Sequence, residues 1–165
     1  MAPPAEVVSL RGPEQRGVAP AQFRSTGSQV EVRVLCAATN APTSVAIDVL
    51  RSASGTERLT VAYHRSNHTL TVDQRHANAE ISPALSAAAL VQEAPYDADG
   101  GALELRVFVD GGLVQTFLNE AVTVTTLVNL SAAVSGPATR GVAVSGSAAS
   151  SGGSGCTASV WPLSL

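Results

Sequence analysis

The stretch from Ala102 to Leu118, ALELRVFVDGGLVQTFL, decides the fold of this 165-residue chain. Side chains of a strand point alternately to its two faces. The first half therefore predicts a strand with one apolar face, formed by Leu103, Leu105, Val107 and Val109, and a second face formed by Glu104, Arg106 and Phe108. Asp110, Gly111 and Gly112 supply the positive φ angles of a tight turn. Because Val114 to Leu118 is again apolar, the stretch predicts a β-hairpin.

Further short segments have the β-branched content or the two-residue alternation of strands. The predicted strands span residues 29–35, 44–50, 58–63, 69–73, 121–128, 140–144 and 157–163. Turn residues separate them, and residues 80–89 and 148–155 predict loops, the former with a short helical turn as the alternative. Many short strands without a convincing helix predict an all-β fold, a two-sheet antiparallel β-sandwich of the jelly-roll or lectin-like kind.

The first 24 residues contain several Pro and Gly residues and predict an extended lead-in or interdomain linker, with one short strand at 7–10. The sandwich module is then expected over residues 25–165. The segment from Met1 to Ala5 lacks the positive region and apolar run of a secretory signal, so no signal peptide is expected.

Composition narrows the class of function. Hydrophobic residues make up 45% of the chain, which is too many for a disordered protein. The formal net charge is −3 and no basic stripe occurs, so we expect neither nucleic-acid binding nor a polybasic membrane patch. No apolar run approaches the about 20 residues of a membrane span.

The cysteines and histidines give weak signals. Neither Cys36 nor Cys156 has a Cys or His neighbour at zinc-ligand spacing, and three readings stay open: one disulfide, two free core thiols, or chance. His64, His68 and His76 lie in polar, turn-like stretches, which favours solvated loop histidines over a metal site. No cofactor is expected.

Three segments together resemble a known family. They are the hairpin with its continuation through Val122–Thr126, the paired segments Leu59–Tyr63 and Thr69–Asp73, and the closing Ala158-Ser159-Val160-Trp161-Pro162-Leu163. Their order and spacing, from about Phe23 to Leu165, resemble the C-terminal β-sandwich module of glycoside hydrolase family 32, the invertases, levanases and inulinases.

The resemblance implies an accessory module. In that family the chemistry lies on a separate five-bladed propeller, with a nucleophilic Asp in an Asn-Asp-Pro segment, an Arg-Asp-Pro segment and an acid/base Glu before a Cys. None of these segments occurs in this chain. The resemblance therefore implies a non-catalytic chain, a catalytic β-propeller as its partner, and an extracellular or vacuolar parent enzyme.

Some relatives of the module bind the terminal fructose of fructans through Arg and carboxylate side chains. The corresponding candidates here are Asp73, Arg75, Asp110 and Gln115. Gly111 follows Asp110 where the family usually has Arg, and Gln115 takes the place of a Glu. A turn-capping role is favoured for Asp110, whereas Asp73 with Arg75 is evenly balanced between capping and sugar binding.

Asn67 and Asn129 both begin N-glycosylation sequons, and Asn67 is the better candidate because it lies in a predicted turn. Trp161 is expected in the core or against another domain rather than as a sugar platform. Three functions stay open: a module that stabilises a catalytic propeller, a free-standing binding module for fructose-ended glycans, and a fragment of an active β-fructofuranosidase or levanase.

Overall fold

The predicted hairpin is present in a computed structural model of the chain, which describes residues 8–24, 26–27, 29–39, 41–80, 85–135, 141–147 and 155–164. Those residues form twelve strands and two four-residue helices. In chain order they are β1 (Gln15–Val18), β2 (Ala21–Arg24), β3 (Gln29–Cys36), β4 (Ser44–Arg51), β5 (Leu59–His64), β6 (Thr69–Asp73), α1 (Ala87–Leu90), β7 (Val91–Pro95), β8 (Leu103–Asp110), β9 (Leu113–Leu118), β10 (Val122–Leu127), α2 (Ala132–Ser135), β11 (Gly141–Ser147) and β12 (Cys156–Pro162).

The strands form two six-stranded sheets. The first sheet has the order β1-β12-β3-β8-β9-β10, and the second has the order β2-β11-β4-β5-β6-β7. Every neighbouring pair is antiparallel. The predicted two-sheet antiparallel sandwich is confirmed.

The β8–β9 hairpin has the register expected from its sequence. Val109 lies opposite Val114 and Asp110 lies opposite Leu113, so Gly111 and Gly112 alone form the turn. Gly111 adopts a φ of 58°. Gly112 is tightly packed, since a Cβ atom there would clash with the carbonyl oxygen of Val128. Both glycines are therefore required, the first by its backbone conformation and the second by its lack of space.

The core lies between the sheets and consists of the inward residues of each strand. Its largest fully buried side chains include those of Ile47, Leu59, Tyr63, Leu70 and Leu105. Each buried aliphatic side chain of this size contributes about 1.5–3 kcal/mol. The alternation that predicted the strands therefore also identifies the residues that hold the sheets together.

The two cysteines are joined across the first sheet. Cys36 and Cys156 lie directly opposite each other on β3 and β12, with Cα atoms 4.1 Å apart. The structure forms a disulfide between them, and it links residues 120 positions apart in the chain. The first and last long strands of the first sheet are thus covalently connected.

The N-terminal segment differs from the expected linker. Strand β1 pairs with β12 at the edge of the first sheet, and β2 pairs with β11 at the edge of the second. The linker prediction is wrong for residues 15–24, because these residues pair as edge strands of the two sheets and Pro20 lies where the chain crosses between them. The predicted strand at 7–10 is described only over residues 8–10, where the backbone turns instead, and Arg11 N donates to Val8 O at 3.3 Å. Residues 1–7 lie outside the described part.

The structure agrees only in part with the loop predicted at 80–89. Its residues 81–84 lie outside the described part, and α1 begins at Ala87. Strand β7 follows and pairs with β6, although the sequence did not predict it. Its sequence VQEAP lacks alternation and ends in a proline, which an edge strand tolerates. The loop expected at 148–155 is described only at Gly155.

Candidate functional site

The outer face of the first sheet, turned away from the core, has a buried carboxylate at its centre. Glu31 on β3 is 0% exposed even though its side chain points outward. The guanidinium of Arg11 covers it, with Nε donating to Oε2 at 2.7 Å and Nη2 donating to Oε1 at 2.6 Å. A buried carboxylate requires such a partner, because desolvation would otherwise cost several kcal/mol.

Three more charges continue from this pair along the same face. Arg106 Nε lies 3.8 Å from Glu31 Oε1, and its Nη2 donates to Glu104. Arg33 then binds both oxygens of Glu104, at 3.1 and 3.0 Å. We call these five residues, Arg11, Glu31, Arg106, Glu104 and Arg33, the charged row.

None of the five residues of the charged row is among the predicted site residues, although the sequence contains a signal for the row. The segments Glu31-Val32-Arg33 and Glu104-Leu105-Arg106 alternate acid, aliphatic and base. The β3–β8 register then places Arg33 opposite Arg106. What the sequence could not show is the pairing of β3 with β8, which are 67 or more residues apart in the chain.

Two members of the charged row, Arg11 and Glu104, have pKa values shifted in the direction that favours their charged forms. The hydrogen bond to Glu31 raises the pKa of Arg11 against the opposing effect of burial. Burial acts to raise the pKa of Glu104, but the hydrogen bond from Arg33 and the charge of Arg106 together lower it. Both carboxylates of the charged row accept hydrogen bonds from arginine side chains. The acid and the nucleophile of a glycosidase must instead be free to react with the sugar.

Aromatic side chains flank the charged row. The guanidinium carbon of Arg11 lies 4.3 Å from the centroid of the Trp161 ring, in a cation–π contact. Phe108 and Phe117 pack edge to face with centroids 5.9 Å apart. Trp161 was expected in the core or against another domain, and the structure places it half-buried on the outer face of the sheet.

Exposed aliphatic side chains surround these groups on the same outer face. They are Val18, Leu35, Leu113 and Leu127, the last of which is 75% exposed. A cavity of 590 Å³ opens beside Leu35, between Glu104, Asn119 and Thr157. The face therefore combines ordered charges, half-buried aromatic rings and exposed aliphatic groups.

Two of the predicted sugar-binding residues lie on the other sheet. Asp73 ends β6, and its Oδ1 accepts from the backbone N of Arg75 at 2.9 Å. The Arg75 side chain donates to the same carboxylate, with Nη2 2.6 Å from Oδ2. The hydrogen bond from Arg75 lowers the pKa of Asp73 against the effect of burial. The pair thus closes a turn through its own contacts.

The remaining two candidates lie on the outer face of the first sheet. Asp110 ends β8 and accepts from Gln29 Nε2 at 2.7 Å, while Gln115 is exposed on β9 opposite Phe108. Since β6 belongs to the second sheet, Asp73 and Arg75 do not share a face with Asp110 and Gln115. The structure does not bring the four predicted residues together in one site.

The histidines and the sequons lie at the surface. His68 Nδ1 is 3.1 Å from an Asp97 carboxylate oxygen, and both side chains are exposed. Among the described residues, no group of three or more His, Cys, Asp or Glu side chains is placed to hold a metal ion. Asn67 and Asn129 are both exposed.

A membrane-spanning helix is absent from the part of the chain that the structure describes, where no helix has the necessary length and apolar character.

The two antiparallel sheets, with arginine-paired carboxylates on their outer faces, define an all-β sandwich module. The model of glycosyl hydrolases family 32, C terminal, matches residues 6–161, and the chain belongs to this family. A search of curated proteins finds no match.

Solved structures of glycoside hydrolases have the same fold. Exo-inulinase from Aspergillus awamori superposes with a TM-score of 0.72 at 19% identity, over 96% of this chain and 31% of that protein. Sucrose-6-phosphate hydrolase from Lactobacillus gasseri gives 0.71 at 17% identity, over 97% and 30%. Fructan 1-exohydrolase IIa from Cichorium intybus gives 0.67 at 10% identity, over 98% and 37%. The chain thus spans about a third of the length of these enzymes.

Proposed function

We propose that this chain is a non-catalytic module of a hydrolase acting on sucrose or fructans, and that it packs against the catalytic propeller and stabilises it. One observation carries the proposal. The family's C-terminal model accounts for residues 6–161, while the chain covers only 31% of exo-inulinase and 30% of sucrose-6-phosphate hydrolase. Such enzymes thus have a further part, roughly twice as long, against which the module can pack.

The state of the acidic residues supports a non-catalytic role. Retaining and inverting glycosidases need two carboxyl groups about 5–9.5 Å apart with room for the sugar between them. Here Glu31, Glu104 and Asp73 each bind an arginine side chain. Because these carboxylates already accept hydrogen bonds from guanidinium groups, they are poorly suited to protonate a leaving group or to attack a sugar.

The disulfide supports the proposed location of the parent enzyme. Disulfides persist in oxidising compartments and are rare in the cytosol. The buried bridge between Cys36 and Cys156 therefore favours an extracellular or vacuolar parent. This location also agrees with the two exposed sequon asparagines, Asn67 and Asn129.

Thermal inactivation tests the stabilising role. The catalytic propeller of the parent enzyme would be prepared without its C-terminal part, and its hydrolysis of sucrose or inulin would be followed during heating. We expect added chain to lengthen the half-life of activity in a saturable manner, because a ligand of the folded state shifts unfolding by mass action. An equal concentration of an unrelated β-sandwich protein is the control. An unchanged half-life at saturating chain would contradict the proposal.

A further inference from the structure

We propose that the outer face of the second sheet binds a tetrahedral oxyanion, a phosphate or sulfate group that is free or carried as an ester. The site consists of Arg24 at the end of β2, Arg51 at the end of β4, and the backbone of Gly141 between them. We call Arg24 and Arg51 the arginine pair. This inference goes beyond the proposed function and does not depend on it.

Strand pairing places the two arginines on one face of the sheet. Arg24 lies opposite Gly141 on β11, and Arg51 lies opposite the same glycine from the other side. Directly opposite residues of antiparallel strands share a face. Since the neighbouring Phe23 and Val142 are buried in the core, this face is the outer one. Two strand spacings separate the backbones of the arginine pair by about 10 Å.

A β-bulge in β4 brings Arg51 to the outer face. The register with β11 shifts between Ala143, which lies opposite Asp48, and Gly141, which lies opposite Arg51. Without this shift, Leu50 would lie opposite Gly141 on the outer face and Arg51 would turn inward. Leu50 is instead buried and adopts a φ of 51°, a left-handed conformation that is unfavourable for leucine. Bulges redirect side chains, and this one turns a guanidinium toward Arg24.

Neither member of the arginine pair has a carboxylate partner within the described ranges. Most other arginines there form ion pairs, namely Arg11, Arg16, Arg33, Arg58, Arg75 and Arg106. Asp48, the next residue of β4 toward the sheet centre on this face, accepts from Thr60 Oγ1 at 2.7 Å and lies 3.7 Å from Arg58 Nε. The guanidinium groups of the arginine pair therefore keep their donors for an external acceptor.

The position between the two arginines is open. Among the described residues, only the backbone oxygen of Phe23 lies within 4 Å of where a Cβ atom of Gly141 would be. No described side chain therefore fills the gap above this glycine. An anion there can approach the backbone and contact both arginines, which is a common use of glycine at binding sites.

The turn beneath Arg51 supplies a further donor. The Arg51 guanidinium lies directly over Gly55, where a Cβ atom would clash with it. In the same turn Ser54 Oγ lies 3.2 Å from Ser52 Oγ and 2.8 Å from Thr56 Oγ1. Three hydroxyl groups have three protons, and the two hydrogen bonds between them use two. One hydroxyl proton thus has no acceptor among the described residues and can be donated to a ligand.

The set of donors favours a tetrahedral anion over a carboxylate. Each guanidinium can bind two oxygens side by side. A carboxylate has only two oxygens, so one arginine satisfies it. A phosphate or sulfate group has three or four oxygens and can bridge both arginines and the hydroxyl donor.

Amide NMR of the full chain tests the inference. The chain would be titrated with inorganic phosphate, inorganic sulfate, glycerol phosphate and acetate, at an ionic strength held constant with sodium chloride. The backbone amides of Gly141 and Gly55 report on the site. Arg24→Gln and Arg51→Gln each remove one guanidinium, and Arg51→Lys keeps the charge but loses the paired donors. Arg16→Gln is the matched control, because it removes a mostly exposed arginine of the first sheet.

We expect a tetrahedral anion to cause saturable shifts at both glycines, with affinity about tenfold or more weaker in Arg24→Gln and in Arg51→Gln. Arg51→Lys should also bind more weakly than the wild type, whereas Arg16→Gln should match the wild type. Tighter binding of glycerol phosphate than of inorganic phosphate would identify an ester as the ligand, and the reverse order would identify the free ion.

Three results would overturn the inference. They are the absence of saturable shifts with all of the tetrahedral anions, shifts that survive both glutamine substitutions, and equally tight binding of acetate. Thermal melts would show that each variant is folded. Arg24→Gln keeps the test decisive if Arg51→Gln is unstable, because Arg24 is exposed on an edge strand.

Discussion

The disulfide between Cys36 and Cys156 should be the largest single contribution to the stability of the isolated module. The bridge closes a loop of 120 residues. In the chain-entropy model, closing such a loop in the unfolded state stabilises the folded protein by about 5 kcal/mol at 25 °C. Domains of this size have free energies of unfolding of about 5–15 kcal/mol. Loss of the bridge should therefore remove a third or more of the total.

Denaturant unfolding measures this contribution in two independent ways. The variant Cys36→Ala/Cys156→Ala removes the bridge by substitution, and the reduced wild type removes it without changing the size of either residue much. Both should lose about 5 kcal/mol and melt roughly 10–20 °C lower than the oxidised chain. Agreement between the two separates the effect of the cross-link from that of a small cavity. A loss below about 1 kcal/mol in both, with an unchanged dependence on denaturant, would refute this reasoning.

Three further perturbations test the outer face and the hairpin. Arg11→Ala leaves the buried Glu31 without its bidentate partner and should lower the free energy of unfolding by about 3 kcal/mol, as measured with denaturant. A loss near zero would show that other groups are enough to stabilise the Glu31 carboxylate. The pKa of Glu104 is lowered in the folded state, so its stabilising effect is present above its ordinary value of 4.5 and disappears as the pH falls below it. Unfolding measured from pH 7 to pH 3 should therefore show a smaller decline in Glu104→Gln, and equal declines would contradict this. Gly112→Ala forces a contact with a backbone carbonyl and should destabilise the hairpin by more than about 2 kcal/mol, whereas Gly111→Ala, which has open space but a left-handed φ of 58°, should cost about 1 kcal/mol. Thermal melts that rank the two glycines in the opposite order would contradict the assigned turn geometry.

Most of the sandwich could be predicted because its long strands have a clear local pattern. Strands β3, β4, β8 and β9 alternate or run apolar, and strong turn residues bound them. Strands β1, β2 and β7 could not be predicted because they are four or five residues long and lie at sheet edges. Edge strands have one neighbour and little burial, so they require no apolar periodicity. Pro20 and Gly17 predict a linker, whereas Gly17 lies within β1 and Pro20 lies where the chain crosses between the sheets.

The candidate site could be predicted less well, for a different physical reason. Asp73 and Arg75 are close in sequence, and their local contact follows from a turn. A shared face with Asp110 required knowledge of which strand belongs to which sheet, and that depends on long-range pairing. The charged row depends in the same way on the β3–β8 register. Local chemistry is thus visible in the sequence, whereas the assembly of distant residues is not.

The most direct test of the non-catalytic module is calorimetric titration of the purified chain with levan, inulin, sucrose and fructose, with simultaneous assay of released fructose. We expect no released sugar, because the carboxylates of Glu31, Glu104 and Asp73 are held by arginines. We also expect no saturable heat, because the four predicted sugar-binding residues lie on two different sheets. Saturable heat without hydrolysis would instead identify a carbohydrate-binding module, and released fructose would contradict the non-catalytic role.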